Sequence, residues 1–439
     1  MRRYLAQWAW LGTTADEARP DVLVEIGADG RFGAVTPEVT DPPTDAIRLV
    51  GLTIPGLANA HSHAFHRALR GRTHAGKGTF WTWRNRMYEL ADRLDPDSYL
   101  SLARATYAEM ALAGITCVGE FHYLHHAPDG RPYDDPNAMG NALLTAAAEA
   151  GIRITLLDTI YLTSTVDGAP PHGPQRRFSD GSLDGWRTRH GAIAGTETAR
   201  IASAVHSVRA VPAELLDEVA DGLVHIHLSE QRAENQACRA RYGCTPTELL
   251  DRHGLLGPGT TAVHATHLTD LDRTTLGDSG TGVCFCPTTE RDLADGIGLA
   301  RALVDSGSPL SLGTDSHAVI DMFEEARAVE LDERLRSEQR GHFAAAELLR
   351  AATAGGHAAL GWTDAGQIAP GQRADLVTVR LDSVRTTGTS PGPSVVFTGA
   401  AADVTHVVRD GSTIVRDGVH CGVPDVARAL DDAIRVVIS

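Results

Sequence analysis

The sequence predicts an α/β fold: a (β/α)8 barrel of the TIM type, with a small β-sandwich domain built from both chain termini. Between residue 51 and about residue 360, eight short apolar runs alternate with longer amphipathic runs rich in Ala and Leu. Repeated strand–helix units with apolar strands indicate a parallel sheet covered by helices, and eight units fit a closed barrel. Hairpin-like patterns at both chain ends predict the second domain. An open doubly wound sheet is the alternative, but no Gly-x-Gly-x-x-Gly turn follows the first strand.

The elements follow in order along the chain. Residues 4–11 form an apolar run that Gln7 interrupts, and no cleavage site follows, so we expect a first β-strand here and not a signal peptide. Hairpins at residues 22–35 and 374–415 supply further strands of the small domain. The barrel strands are expected at residues 52–59, 115–121, 152–158, 201–206, 223–228, 261–264, 282–286 and 309–313. Helices are expected at residues 98–113, 138–150, 247–252 and 344–360.

These elements divide the chain into two domains. Residues 55–365 are expected to form the barrel, and residues 1–54 and 366–439 the small β domain. Residues 163–198 are rich in Gly, Pro, Ser and Arg and are expected to be a long loop after the third barrel strand. A loop of that length in a barrel is a candidate lid over the substrate.

The charge balance excludes some classes of function. The 439-residue chain has 40 Lys and Arg against 56 Asp and Glu, which gives a formal net charge of −16. A general nucleic-acid binder needs a basic face, so no nucleic-acid partner is expected. No uncharged apolar run is long enough to cross a bilayer, so no membrane partner is expected. The six cysteines show no Cys-x-x-Cys spacing, which favours a reducing cytoplasm.

Two histidines end the first barrel strand, in the run Ala60-His61-Ser62-His63. Residues two apart on a strand point to the same side, so His61 and His63 can both present a ring nitrogen to one ion. Taken alone, the pair fits hydrogen-bonded core histidines as well as it fits metal ligands.

Further side chains of this kind occur at other strand ends. The fifth strand ends with His227 and Glu230, the sixth with His264, and the eighth with Asp315. The C-terminal ends of all barrel strands converge on one mouth, where active sites lie. Three histidines and one carboxylate make a shell for a first-row divalent ion, with a position left for water. The sequence therefore predicts one divalent metal ion at the mouth, with Zn²⁺ as the expected metal.

This set of residues resembles the amidohydrolase superfamily of metal-dependent hydrolases, in its mononuclear branch. The binuclear branch usually bridges two ions with a carboxylated lysine on the fourth strand. Here that strand ends in His206, and Lys77, just after the first strand, is the only lysine. A second ion therefore has no obvious bridge.

Within that superfamily, the chain resembles the formimidoylglutamate deiminases of histidine degradation throughout the barrel. The most specific matches are Phe80-Trp81-Thr82-Trp83-Arg84 and Phe121-His122-Tyr123. The resemblance implies hydrolysis of N-formimino-L-glutamate to N-formyl-L-glutamate and ammonia. Where the family usually has a glutamine that contacts the formimino group, this chain has His66.

The reaction assigns a role to each group. An ion held by His61, His63, His227 and Asp315 would lower the pKa of a water molecule towards neutrality. Asp315 and His264 could take the proton of that water or stabilise the tetrahedral centre, and Glu230 could deliver a proton to the departing nitrogen.

The implied substrate has two carboxylates, so a protein of this net charge must place cations locally. Arg84 and Arg209 are the candidates, because a guanidinium can bind a carboxylate with two hydrogen bonds. Tyr123 is a further donor, and His206 and His66 are expected beside the site. The expected assembly is a homodimer.

Two alternatives remain open. The same metal mechanism could deaminate a cyclic heterocycle such as a nucleobase, pterin or triazine; the paired arginines argue against this, while His66 leaves it open. A non-catalytic scaffold that has kept the barrel is the second alternative, but it predicts missing ligands, and none is missing from the sequence.

Overall fold

The computed structural model describes residues 2–74, 78–219 and 222–439. Lys77 lies outside these residues. Among the described helices, none is both long and apolar enough to span a membrane.

Eight parallel strands form the barrel, and each pairs with the next in chain order. A parallel bridge between Ser62 and Asp315 joins the last strand back to the first. The predicted barrel is thereby confirmed. The strands are β5 (Leu57–Ser62), β6 (Ile115–His122), β7 (Arg153–Ile160), β8 (Ala199–Val205), β9 (Val224–Leu228), β10 (Thr260–His264), β11 (Gly282–Phe285) and β12 (Leu310–Leu312).

The barrel strands are nearly continuous apolar runs because both of their faces are covered, one by the barrel interior and the other by helices. The helices are α1 (Phe80–Ala91), α2 (Pro96–Leu112), α3 (Ala138–Ala150), α4 (Leu183–His190), α5 (Arg232–Tyr242), α6 (Pro246–Arg252), α7 (Asp270–Asp278), α8 (Pro287–Asp292), α9 (Ala300–Asp305), α10 (Met322–Ser337), α11 (Ala345–Arg350), α12 (Gly356–Ala359), α13 (Val395–Thr398) and α14 (Val426–Ile438). Short 3-10 helices span Ala64–Leu69, Gly173–Phe178, Ala213–Glu218 and Ala401–Asp403, and a π-helical turn spans Ala351–Gly355.

Both chain ends contribute to the second sheet, as the sequence predicts. Its strands are β1 (Arg2–Ala9), β2 (Arg19–Ile26), β3 (Phe32–Thr36), β4 (Ile47–Pro55), β13 (Leu376–Val379), β14 (Val404–Arg409), β15 (Ser412–Arg416) and β16 (Val419–His420). They are joined edge to edge in one sheet, with β4 parallel to β1 and antiparallel to β13. The N-terminal and C-terminal halves therefore meet at β4.

The first barrel strand lies further along the chain than the predicted residues 52–59. That apolar run contains the end of β4 and the start of β5, which belong to different sheets. Both strands are buried, so hydrophobicity does not show the break between them. Gly56 marks it: a Cβ at this position would lie 2.3 Å from Thr116 Oγ1, so only glycine fits the close approach.

The predicted loop at residues 163–198 has structure of its own. It contains α4 and the 3-10 turn Gly173–Phe178. Ser182 caps α4 through its side chain, which accepts from the Gly185 N–H. Phe178, the last residue of that turn, lines the cavity at the mouth of the barrel.

Candidate active site

The mouth of the barrel brings five predicted side chains together. His61, His63, His227, His264 and Asp315 come from the C-terminal ends of four strands, β5, β9, β10 and β12. His61 Nε2 and His63 Nε2 lie 3.3 and 3.2 Å from Asp315 Oδ1. His227 Nε2 lies 3.1 Å from His61 Nε2. One ligand atom from each of His61, His227 and His264 also lies within 4.8 Å of the other two.

Barrel closure itself holds two of these strand ends together. The Asp315 N–H donates to the His61 carbonyl at 3.0 Å, and the Asp315 carbonyl accepts from the His63 N–H at 3.2 Å. Asp315 and His264 both have positive φ, 42° and 68°. Non-glycine residues in this region are strained, and such strain persists where the surrounding structure fixes the backbone. Asp315 is held there by backbone hydrogen bonds to the strand that carries both histidines.

Backbone carbonyls fix the orientation of two histidine rings. His63 Nδ1 donates to the Phe121 carbonyl and His227 Nδ1 to the His206 carbonyl, each at 2.9 Å. Because a carbonyl only accepts, Nδ1 carries the proton in both rings and the Nε2 lone pairs point towards Asp315 and His61. His206, predicted to bind substrate, thus also positions a ligand through its backbone.

The donor set fits a divalent cation. Burial lowers the pKa of His61 to about 3, which keeps its ring neutral and able to ligate. Burial also favours the neutral form of Asp315, but the close approach of the His61 and His63 rings outweighs burial and holds the pKa of that carboxyl well below its usual range. Lone pairs that converge without an intervening proton donor need a cation between them. Imidazole nitrogens with one carboxylate suit zinc and similar first-row ions.

His264 lies between three carboxylates. Its Nε2 atom is 3.9 Å from Glu230 Oε1 and 4.0 Å from Asp315 Oδ2, and its Nδ1 atom is 3.3 Å from Glu290 Oε1. Burial lowers the pKa of His264, but the negative charges of Glu230 and Glu290 outweigh burial and raise it well above the usual value. Glu290, on α8, is absent from the sequence prediction. The sequence feature that could have pointed to Glu290 is its position just after the seventh strand.

All the predicted substrate-binding residues line one cavity beside this cluster. The cavity has a volume of about 60 Å³. Its predicted lining residues are His63, His66, Arg84, Tyr123, His206, Arg209, His227, Glu230, His264 and Asp315. Lining residues that the sequence prediction does not include in the site are Phe80, Trp83, Met87, Tyr88, Tyr161, Phe178 and Leu293.

The two arginines differ in their surroundings. Arg209 Nη1 lies 3.6 Å from Glu234 Oε2, so part of its charge is compensated by a carboxylate that the sequence prediction missed. Glu234 follows Glu230 by four residues and lies in the first turn of α5. Arg84 stacks over the Trp81 ring at 4.4 Å, and its Nε has no hydrogen-bond partner among the described side chains. Arg84 therefore retains donors for an anion.

His66 occupies the position that departs from the family pattern. Its Nε2 atom lies 3.1 Å from the Tyr123 hydroxyl, and its ring lies 4.6 Å from the His63 ring. The imidazole thus presents a polar edge to the cavity beside the histidine and aspartate cluster.

The fold and the donor set together define a class: barrel enzymes with a metal-binding mouth. The family model described as Amidohydrolase family matches residues 52–414. The chain belongs to the amidohydrolase family, whose members are metal-dependent, and it is an enzyme that hydrolyses C–N bonds.

Similar proteins fall in the same family. The chain is 35% identical to formimidoylglutamate deiminase of Pseudomonas aeruginosa over 430 residues, which cover 93% of this chain and 94% of that protein. The crystal structure of an amidohydrolase from Brucella melitensis superposes with a TM-score of 0.90 at 31% identity and covers 100% of both chains. An adenosine deaminase from Xanthomonas campestris with bound zinc superposes with a TM-score of 0.85 at 25% identity, covering 99% of this chain and 97% of that one.

Proposed function

We propose that this enzyme hydrolyses the formimino group of N-formimino-L-glutamate and releases ammonia and N-formyl-L-glutamate. One observation carries the proposal: Arg84 and Arg209 line the same cavity as the histidine and aspartate cluster. A substrate with two carboxylates and a linear amidine fits a site with two cations and a metal-binding end. The similarity to formimidoylglutamate deiminase supports the same assignment.

The metal ligands in this proposal are His61, His63, His227 and Asp315, with His264 close to them. When bound there, a divalent ion supplies a Lewis acid that lowers the pKa of water and polarises the amidine. We propose a single Zn²⁺, since the donor set suits it and the adenosine deaminase from Xanthomonas campestris contains zinc. Lys77, the only lysine, lies outside the described residues, so it supplies no argument for a second ion.

Three side chains move protons in the proposed reaction. Asp315 accepts a proton from the attacking water, and protonated His264 stabilises negative charge as the carbon becomes tetrahedral. Glu230, whose pKa burial raises, delivers a proton to the terminal nitrogen. Oxygen from water is added, the bond from carbon to that nitrogen breaks, and both protons of the water, relayed through Asp315 and Glu230, leave on the nitrogen as ammonia.

The rest of the substrate is held by the other lining residues. Arg84 and Arg209 bind the carboxylates, and Tyr123 and His206 add hydrogen bonds. His66, paired with the Tyr123 hydroxyl, contacts the formimino end. The enzyme is expected to act in the cytoplasm as a homodimer, and its six cysteines are unpaired, as a reducing compartment requires.

Deamination of a heterocycle is the second candidate. The aromatic rings of Phe80, Trp83 and Phe178 in the cavity lining could stack on a planar ring, and the adenosine deaminase similarity points the same way. An uncharged ring offers no carboxylate for Arg84 or Arg209 to bind. The two arginines therefore favour the linear amidine as substrate.

The test is ammonia release by zinc-loaded enzyme from N-formimino-L-glutamate, beside N-formimino-L-aspartate, guanine, cytosine and adenosine. We expect release from the glutamate derivative and a loss of about 100-fold or more in Glu230→Gln. Glu197→Gln, on an exposed surface, is the matched control and should keep full activity. Turnover of a ring substrate alone would support deamination of a heterocycle. No turnover of any substrate by enzyme that has bound metal would support the non-catalytic scaffold.

A further inference from the structure

A chain of buried hydrogen bonds runs beside the candidate metal centre and joins the first barrel strand to the last. Its five side chains are fully buried: Asn59, Thr314, His317, Ser62 and Glu120. Asn59 Nδ2 donates to Thr314 Oγ1 at 2.7 Å, and Thr314 Oγ1 lies 2.9 Å from His317 Nδ1. His317 Nε2 lies 3.1 Å from Ser62 Oγ, which donates to Glu120 Oε2 at 2.7 Å. None of the five lines the active-site cavity, so none of them is placed to contact a substrate.

The direction of each hydrogen bond in this chain follows from one backbone group. The Thr314 N–H donates to Asn59 Oδ1 at 2.9 Å, so the amide nitrogen of Asn59 faces the Thr314 hydroxyl. That hydroxyl accepts from Asn59 and therefore donates its own proton to His317 Nδ1. The neutral ring then carries its proton on Nε2 and donates to Ser62, whose proton goes to Glu120. Every hydroxyl and ring N–H of the chain thus has an acceptor, as burial requires.

The chain is attached to the backbone next to three predicted metal ligands. Ser62 lies between His61 and His63 in the sequence, and Thr314 directly precedes Asp315. Neighbouring side chains on a strand point to opposite sides, so the chain runs behind the two histidines while their rings face the mouth. The chain therefore ties the backbone between the histidines to the backbone before the aspartate.

The same chain holds a strained turn at residues 314–317. Asp315 and His317 have φ angles of 42° and 58°, and non-glycine residues keep such angles where the surrounding structure fixes them. The His317 N–H donates to the Thr314 carbonyl at 2.9 Å, and the His317 carbonyl accepts from Arg70 Nε at 2.6 Å. Both ring nitrogens of His317 are used in the chain. This residue is therefore fixed through its backbone and its side chain together.

We infer that His317 is a positioning residue of the active site, whose two ring nitrogens hold the turn that places the Asp315 carboxylate against His61 and His63. The inference rests on the proposed function and names a residue that supports its metal centre. Asp315 Oδ1 lies 3.3 Å from His61 Nε2 and 3.2 Å from His63 Nε2. A relaxed turn would move this oxygen away from the two nitrogens. The affinity for a divalent ion and the ability of Asp315 to accept a proton from water both depend on that placement.

Thr314→Val tests the chain, because valine has nearly the shape of threonine and lacks the hydroxyl. We expect the affinity for Zn²⁺, measured by competition with a chelator of known affinity, to fall about tenfold or more. At saturating zinc, kcat for N-formimino-L-glutamate should fall about tenfold, while KM stays within about threefold because the cavity lining is unchanged. Thr314→Ser restores the hydroxyl and should recover most of the zinc affinity and of kcat.

His317→Asn tests the ring itself. Asparagine tolerates a positive φ, and its Oδ1 atom can still accept from the Thr314 hydroxyl, but it has no donor that reaches Ser62. We expect a loss of about tenfold in zinc affinity. The visible absorption spectrum of the cobalt-substituted enzyme reports the geometry of the ligands. It should shift in His317→Asn and in Thr314→Val, and return towards that of the parent in Thr314→Ser.

Thr106→Val is the matched control. Thr106 is fully buried on α2, and its hydroxyl donates to the Leu102 carbonyl at 2.8 Å, outside the chain. This variant loses one buried hydrogen bond and should keep the zinc affinity and the cobalt spectrum of the parent. Parent affinity and an unchanged spectrum in both Thr314→Val and His317→Asn would overturn the inference. Equal changes in Thr106→Val would also overturn it, because the effect would then be a general loss of stability.

Failure of the proposed function gives a different result. Zinc affinity and the cobalt spectrum are measured without substrate, so they do not depend on which substrate the enzyme hydrolyses. A parent enzyme that binds zinc and releases no ammonia from N-formimino-L-glutamate would contradict the proposed function, while the two metal measurements still decide the role of His317. A parent enzyme that binds neither zinc nor cobalt would overturn both.

Discussion

At the residue scale, the site depends on atoms whose direction is set by neighbours. His63 and His227 each use Nδ1 to donate to a carbonyl, so the backbone at Phe121 and His206 decides where the two Nε2 atoms point. Glu120 supports the same strand end: its carboxylate accepts from the Ser62 hydroxyl at 2.7 Å and from the Ala64 N–H at 2.6 Å. Burial raises the pKa of Glu120 to about 7. The proposed ligands are thus held by hydrogen bonds at Nδ1 and along the strand end, which leave the Nε2 atoms of His63 and His227 free to bind an ion.

Substitutions at His66 test how this residue affects the choice of substrate. A glutamine can replace the imidazole as the partner of the Tyr123 hydroxyl, so His66→Gln should keep kcat/KM for N-formimino-L-glutamate within about threefold. His66→Ala leaves that buried hydroxyl without this partner, and we expect a loss of about tenfold. Steady-state ammonia release measures both. A glutamine variant that gains activity on guanine or adenosine instead would contradict the role given to His66.

The residues predictable from sequence are those next to a strand end. His61, His63, His227, His264 and Asp315 could be found because the ends of parallel strands meet at one mouth, whatever the helices do. Glu290 was missed although it lies just after the seventh strand, because it reaches the site from α8, and the direction of that helix depends on tertiary packing.

At the element scale, the 163–198 segment is held on the barrel by a buried ion cluster. Arg189 on α4 lies 2.7 Å from Asp158 Oδ1 and 2.8 Å from Asp180 Oδ1. His126 Nε2 is 3.0 Å from Asp180 Oδ1, and His190 Nδ1 is 3.2 Å from Asp158 Oδ2. The composition of this segment predicted a loop because it is rich in Gly, Pro and Ser. The short helix α4 was therefore missed. Its ion pairs explain why it is ordered.

Removing Arg189 should destabilise the protein. Arg189→Met leaves two buried carboxylates without their main partner, and we expect a loss of about 3–5 kcal/mol in the free energy of unfolding, measured by urea denaturation at pH 7.5. Arg187→Met on the same helix is the control, because its partners are exposed and its loss should be below about 1 kcal/mol. Equal stability of the two variants would contradict the role of the cluster.

The loss of unfolding free energy in Arg189→Met should depend on pH. Burial favours neutral Asp158, but Arg189, His190 and His125 outweigh it and hold the pKa of this carboxyl below its usual value. The parent enzyme therefore keeps the stabilisation above the ordinary aspartate pKa of about 3.9 and loses it only at lower pH. In Arg189→Met the carboxyls have raised pKa values and take up protons as the pH falls. The stability difference should therefore narrow from pH 7.5 to pH 4.5, and a difference that widens would contradict this account.

At the scale of the whole molecule, a second buried cluster joins the barrel to the small sheet. Arg153, at the start of β7, bonds to Asp375 at 3.0 Å and to Asp410 at 2.9 Å. Asp375 also accepts from Thr116 at 2.8 Å. This junction lies at the N-terminal ends of the barrel strands, opposite the active site. The two-sheet organisation could be predicted from the hairpins at both chain ends, whereas the side chains that lock the sheets together could not.

Breaking this junction should lower stability without changing the chemistry. Arg153→Met is expected to lose about 3–5 kcal/mol in the free energy of unfolding, because Asp375 stays buried without its main partner. KM and kcat of the folded fraction should stay within about twofold of the parent. Arg104→Met, which breaks an exposed pair with Glu149, is the control for stability. A change of more than about twofold in KM of the folded fraction would contradict the separation of stability from chemistry.

We propose that four strand ends build one metal centre on which hydrolysis depends. The most direct measurement is the metal content of the chelated enzyme during stepwise addition of Zn²⁺, with ammonia release from N-formimino-L-glutamate recorded at each step. We predict that activity rises in proportion to bound zinc and levels off at one equivalent per chain. His227→Asn should bind less zinc and lose activity, and His253→Asn, outside the site, should match the parent. Full activity in the metal-free enzyme, or a plateau only at two equivalents, would contradict the claim.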